Sequence, residues 1–269
     1  MIQVTETDNR PPLPADHYIA MLAIELSLDD GEVRGSAPVR RELFAPGTDR
    51  VRTGLLATMV DLVAGHAPIG PVGPTIDLRV MLFGAPPTSG RIHLHCRPLR
   101  TGKRLIVAET MLSASPGSAP FGRALTTFMN VSMGPPMPRG VRPTPPMQHE
   151  SFDEFLGAEV RDHYTIELAP HARVANDVQA TVQGGAQALL AELAAEHALG
   201  AGRRLVATDL DLRYLSRLKV GPLVASVNEF HSSNGTTLAS VALVDGGNDA
   251  TLVSHASLTL IEAEDPSGN

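Results

Sequence analysis

Two acidic residues occupy matched positions in two copies of one pattern. The first copy runs Arg52-Thr53-Gly54 through Val60-Asp61, and the second runs Gln183-Gly184-Gly185 through Ala191-Glu192. In each, a glycine opens an apolar, helix-like run and a carboxylate follows seven residues later. A carboxylate inside an apolar helix is costly unless it is solvated, paired or used. When used, it can act as a general base on water or attack an electrophile directly. The glycine-marked entrance adds a second resource, because backbone N–H groups at a helix N-terminus can hold a developing negative charge.

Each acid also has a plainer reading. Asp61 fits a partly exposed helical acid, or one paired with an arginine distant in sequence; its neighbours Met59-Val60 and Leu62-Val63 argue against simple solvation. Glu192 fits a solvated helix face, since glutamate is a good helix former and Glu196 lies one turn on.

The elements around these acids repeat as well. In the first half, Ile19–Leu28 and Val33–Val39 read as strands about the turn Asp29-Asp30-Gly31, followed by a helix over Gly54–Ala64. Four strand-like segments come next: Thr75–Phe83, Arg91–Pro98, Leu105–Ala114 and Gly122–Val131. In the second half, a strand over Tyr164–Leu168 precedes a helix over Gly185–Ala198. Strands over Arg204–Leu215, Leu223–His231, Thr237–Val244 and Ala250–Ile261 follow. Asp77-Leu78-Arg79 recurs as Asp211-Leu212-Arg213. One helix followed by four short-looped strands implies an antiparallel sheet with a helix on one face, the α+β class. Met133–Glu150 is rich in proline, which removes backbone donors and restricts its neighbours, so it reads as a linker. The chain then divides into a domain over 1–132, the linker, and a domain over 151–269, forming a pseudo-twofold pair.

Composition narrows the function classes. The chain has 269 residues, of which 43% are hydrophobic and 19% charged, as in ordinary globular proteins. A formal net charge of -7 argues against a nucleic-acid binder. Cys96 is the only cysteine, so no intrachain disulfide can form, which favours a reducing compartment. Met1–Tyr18 is polar and proline-containing, unlike a secretory signal, and no apolar run is long enough to span a bilayer. A cytoplasmic protein is expected. There is no G-x-S-x-G nucleophile elbow, phosphate loop or dinucleotide fingerprint. His93 and His95 alternate on one strand face without a partner at metal-ligand spacing, so no metal is expected and a surface strand is the reading taken. Cys96 points the other way, as a buried, inert thiol would.

The order of elements and the glycine motif entering the helix resemble the hotdog-fold acyl-CoA thioesterases, in particular the PaaI-like group. In that family the helix opens with His-Gly-Gly and carries an Asp or Glu nine residues after the motif's first position. Asp61 is nine after Arg52, and Glu192 nine after Gln183. Thr75-Ile76-Asp77-Leu78, Thr208-Asp209-Leu210 and Arg97–Lys103 also resemble family segments. The likeness spans nearly the whole chain as two tandem hotdog domains. It departs at the motif histidine, replaced by Arg52 and Gln183, and at one glycine, replaced by Thr53. The family's upstream asparagine has no first-half counterpart, and Asn176 lies one residue out of register.

The resemblance implies hydrolysis of acyl-CoA thioesters, with Asp61 or Glu192 as base or nucleophile and the N–H groups at Gly54, Gly184 and Gly185 as oxyanion donors. Asn176 would contact substrate. Gln183 would either hydrogen-bond near the thioester or cap its helix. Arg100, Lys103 and Arg104 would meet coenzyme A phosphates, or form a basic turn on an acidic protein. The second-half turn Ser233-Asn234-Gly235 has no basic residue, leaving Arg217 or Lys219 for that role. Coenzyme A enters as part of the substrate, no separate cofactor is implied, and a homo-oligomer of double-hotdog chains is expected. The competing function is a non-catalytic acyl-CoA or lipid-binding double hotdog, favoured by the missing histidine. A hotdog dehydratase would need an Asp/His phrase that the sequence lacks.

Overall fold

The structure is a computed structural model, and it describes residues 15–29, 32–66, 73–131, 147, 149, 151–175, 181–200 and 203–263. Asn176, most of the Met133–Glu150 segment and the centre of the Asp29-Asp30-Gly31 turn lie outside the described residues.

The first half contains a short helix α1 (Tyr18–Met21), strands β1 (Glu25–Asp29) and β2 (Glu32–Pro38), and the long helix α2 (Thr53–Ala64). Strands β3 (Thr75–Leu82), β4 (Arg91–Thr101), β5 (Leu105–Ser113) and β6 (Pro120–Met129) complete it. The second half opens with α3 (Phe152–Leu156) and the short strands β7 (Glu159–Asp162) and β8 (Thr165–Leu168). Helix α4 (Gly184–Leu199) and strands β9 (Leu205–Tyr214), β10 (Leu223–Ser233), β11 (Thr236–Asp245) and β12 (Thr251–Glu262) follow. Among the described residues, all twelve strands form one sheet in the order β1-β2-β4-β5-β6-β3-β9-β12-β11-β10-β8-β7, every pairing antiparallel. Each half therefore contributes six strands, and the two halves run outward from the β3–β9 seam in the same sequence of elements. This is an α+β tandem hotdog. No described helix is long and apolar enough to cross a membrane.

The repeated Asp-Leu-Arg phrase lies on the seam and pairs with its own copy. Leu78 stands opposite Leu212, Asp77 opposite Arg213, and Arg79 opposite Asp211. Antiparallel self-pairing of D-L-R sets each acid against the other copy's base, which favours this register over a slipped one. Arg213 reaches Asp77 at 3.4 Å, and Arg79 meets Asp209 at 2.6 Å. The bridges Phe44–Val51 and Ala175–Val182 extend the same repeat into the loops before α2 and α4.

The two long helices are apolar on nearly all sides, as expected of helices enclosed by a sheet and each other. They pack antiparallel through glycines. A Cβ on Gly54 would lie 2.6 Å from Leu189 Cα, and one on Gly185 would lie 2.2 Å from Thr58 Oγ1. Only glycine permits that approach, so the motif glycines are also the contact point of the helices.

One sequence expectation needs correction, and two short elements were not anticipated. The strand expected over Ile19–Leu28 is a helical turn, α1, followed by β1. His17 accepts the Ile19 N–H and starts the turn, while Tyr18 and Met21 are buried. Helix α3 was not anticipated, although Ser151-Phe152-Asp153-Glu154 has capping-box spacing and Ser151 Oγ does accept the Glu154 N–H. Strand β7 was missed too; its four residues are all exposed, so no alternation announced it.

Candidate functional site

The antiparallel helix pair sets each carboxylate near the other helix's entrance, but the two places differ. At the entrance of α2, Glu192 from α4 is buried and accepts from the N–H of Thr53 (3.2 Å) and of Gly54 (2.6 Å). Arg52, the residue before α2, is also buried and lies 3.8 Å from Glu192. Its guanidinium donates to both oxygens of Glu196 (2.8 and 2.7 Å) and to Asp153 of α3 (2.5 Å). Burial works against the Arg52 charge, but Glu196, Asp153 and Glu192 outweigh it and hold the guanidinium above its ordinary pKa. Burial also raises Glu192, against the pull of Arg52 and the two N–H groups. Burial pushes Glu196 up to about 8, with Arg52 opposing and Glu192 adding to the rise. The expectation of a solvated Glu192–Glu196 face is thus overturned: one arginine gathers three acids in the interior.

The entrance of α4 is arranged otherwise. Gln183 Oε1 accepts the N–H of Ala186 (3.0 Å), so Gln183 caps the helix. Among the described residues, the N–H groups of Gly184 and Gly185 have no acceptor. Asp61 of α2 is half-buried and accepts a hydrogen bond from Thr75 Oγ1 of β3 (2.6 Å). Asp61 is one methylene shorter than Glu192, and its carboxyl is engaged by Thr75 rather than by the facing helix. Burial pushes Asp61 up to about 6, with the Thr75 hydrogen bond opposing the rise. Tyr214 of β9 joins the two sides. Its hydroxyl donates to Gly184 O (3.0 Å), and after burial itself, the charge of Asp61 is the next cause raising its pKa. Thr75, Tyr214, Arg52's role and Asp153 all escaped the sequence reading; only the apolar flanks of Asp61 and the Ser151 capping box pointed toward this neighbourhood.

Arg100, Lys103 and Arg104 are exposed on the β4–β5 turn. That turn is fastened to the end of β6, where Asn130 N donates to Arg104 O (2.7 Å) and Asn130 Nδ2 to Gly102 O (2.6 Å). Phe128 at that end of β6 pairs with Thr75, the residue that holds Asp61. The basic turn and Asp61 therefore share one end of the first-half sheet. His95 pairs with Glu32 at 2.5 Å on the outer sheet face, and Cys96 is buried.

A scan against protein-family models found no match, and neither did a comparison with curated proteins. Solved structures do match. A hot dog fold protein of unknown function from Alicyclobacillus acidocaldarius aligns with TM-score 0.61 at 13% identity, covering 92% of this chain and 98% of that one. An acyl-CoA thioesterase II, TesB2, from Mycobacterium marinum aligns with TM-score 0.55 at 13% identity, covering 93% and 99%. A 12:0-ACP thioesterase from Umbellularia californica aligns with TM-score 0.60 at 12% identity, covering 88% and 100%. The chain has the hotdog fold, present twice in tandem, over nearly its full length.

Proposed function

We propose that this protein hydrolyses acyl thioesters at the entrance of α4, with acyl-CoA as the substrate class. The observation that carries the reading is the contrast between the two entrances. At α2, the N–H pair of Thr53 and Gly54 already holds the carboxyl oxygens of Glu192. Such a pair at a helix N-terminus suits an oxygen that carries or gains negative charge. At α4, the equivalent pair, Gly184 and Gly185, is left for an oxygen from a ligand, and Asp61 stands on the facing helix.

In the reaction, the thioester carbonyl oxygen takes the N–H groups of Gly184 and Gly185. Asp61 removes a proton from a water as that water adds to the carbonyl carbon, and the oxyanion forms against the two donors. Collapse of the tetrahedral species expels the coenzyme A thiolate, which takes up the proton, and leaves the free acid. A carboxyl near pKa 6 is ionised at neutral pH yet more basic than an ordinary aspartate, which suits the task. Arg100, Lys103 and Arg104, on the same end of the sheet, supply positive charge for the coenzyme A phosphates. The thioesterase names of the M. marinum and U. californica fold neighbours support the same chemistry.

Glu192 takes a different part in this reading: it fills the α2 donors and partners Arg52, so that entrance is closed to substrate. Asp61→Asn should lower thiol release from acyl-CoA roughly 100-fold or more, whereas Glu192→Gln should leave it within a few-fold. In the wild type, kcat/KM should fall on the acid side with a midpoint near 6, as Asp61 gains its proton. Full activity in Asp61→Asn would sink the assignment. The second reading, a binding protein without catalysis, draws on the closure of one of the two entrances; calorimetric binding of acyl-CoA with no thiol release would establish it.

A further inference from the structure

We propose that Tyr214 is a positioning residue of the α4 entrance, fixing the Gly184–Gly185 peptide so that the Gly185 N–H stays aimed at the substrate oxygen. This rests on the hydrolytic reading above and adds a residue from β9 to it. The peptide unit is planar and trans, so the C=O of Gly184 and the N–H of Gly185 point in opposite directions. A hydrogen bond that holds the carbonyl therefore also sets the direction of the donor. Tyr214 Oη donates to that carbonyl at 3.0 Å.

The ring is pressed onto the same residue. A Cβ on Gly184 would lie 3.0 Å from the tyrosine hydroxyl and 3.1 Å from two ring carbons, so ring and backbone are in close contact. Burial and the nearby Asp61 charge both keep the phenol protonated, so the hydroxyl remains a donor. A second tyrosine acts on the next carbonyl: Tyr18 Oη donates to Gly185 O at 3.3 Å and also meets Thr58 Oγ1 at 3.1 Å. The first turn of α4 is thus clamped by hydroxyls from both halves of the chain. Among the described residues, the closed entrance has no equivalent of Tyr214. The register that aligns Asp77-Leu78-Arg79 with Asp211-Leu212-Arg213 puts Val80 at its counterpart, a side chain with no hydroxyl. At α2 the second carbonyl, Gly54 O, does accept a hydroxyl, that of Thr58 at 2.8 Å, so the tyrosine on the first carbonyl is what separates the two entrances.

Tyr214→Phe keeps the ring and removes the hydroxyl. With carbonyl-labelled glycine, the Gly184 13C signal should move upfield in the variant, because a hydrogen bond to the oxygen has been lost. No movement overturns the proposal whether or not the protein hydrolyses anything. In steady-state assays with an acyl-CoA, kcat should fall about tenfold while KM stays within twofold, and the melting temperature should change little. An unchanged kcat, with Asp61→Asn inactive, overturns the tyrosine's role and leaves the hydrolytic reading standing. A wild type that releases no thiol from any acyl-CoA overturns both.

Discussion

Glu192 and Asp61 began as equivalent acids, and their partners separate them. Glu192 shares Arg52 with Glu196 and Asp153, so one positive charge serves three acids in a buried space. Groups this close titrate as a set, and the cluster keeps a proton well above the ordinary carboxylate range. The sign follows from Glu196. Its folded pKa, about 8, lies above its value of 4.5 when unfolded, so the folded state holds a proton that the unfolded chain has released. The resulting stability is fully present below about pH 4.5 and is lost as pH rises through about 8. Melting temperature measured from pH 5 to 8.5 should therefore decline in the wild type, after allowance for Asp61, which titrates near 6 in the same direction. Glu196→Gln, which cannot ionise, should flatten the decline above pH 7. An equal slope in both proteins would place the proton elsewhere.

At the scale of elements, the helix pair explains why the motif glycines recur. Gly54 meets the backbone of Leu189, an atom that no side-chain rotation can move aside. A Cβ on Gly185 would meet the side chain of Thr58, including Thr58 Cβ at 2.6 Å, which rotation cannot move aside either. Gly54→Ala should therefore force α2 and α4 apart and cost roughly 1–3 kcal/mol or more, read from denaturant midpoints. It should also loosen the Glu192 cap, since the Gly54 N–H is one of its two donors. A neutral Gly54→Ala would mean that the helices are not held at this contact. The elements themselves were largely legible. The α2 and α4 spans and eight long strands follow from apolar runs bounded by Gly and Pro. The failures are short elements: α1 and α3 cover one turn each, and a cap, rather than a periodic pattern, specifies them.

The whole molecule is one sheet and one core, despite its two-part sequence. The β3–β9 seam is an antiparallel ladder over Asp77–Met81 and Asp209–Arg213, and the buried cluster includes residues of both halves. Arg52 of the first half is neutralised by α3 and α4 of the second. The α2 entrance of the first half is satisfied by Glu192 of the second, and each half alone would expose the seam strand and a glycine-bearing helix face. Heat unfolding followed by calorimetry should accordingly show a single cooperative transition. Two resolved transitions would show that the halves are energetically separate units.

The sequence by itself determined the duplication, the α+β class, the order of the two long helices and eight long strands, and the two carboxylate positions. Those features are carried by local pattern: glycine, proline and apolar spacing act over a few residues. Only the tertiary structure decided which entrance a carboxylate fills. Arg52 meets Asp153, Glu192 and Glu196, all more than a hundred residues away, and Tyr214 reaches Gly184 from the far end of β9. Whether an acid caps the facing helix, as Glu192 does, or turns to a strand hydroxyl, as Asp61 does, depends on groups brought together across the helix pair and the seam, and no spacing along the chain encodes that.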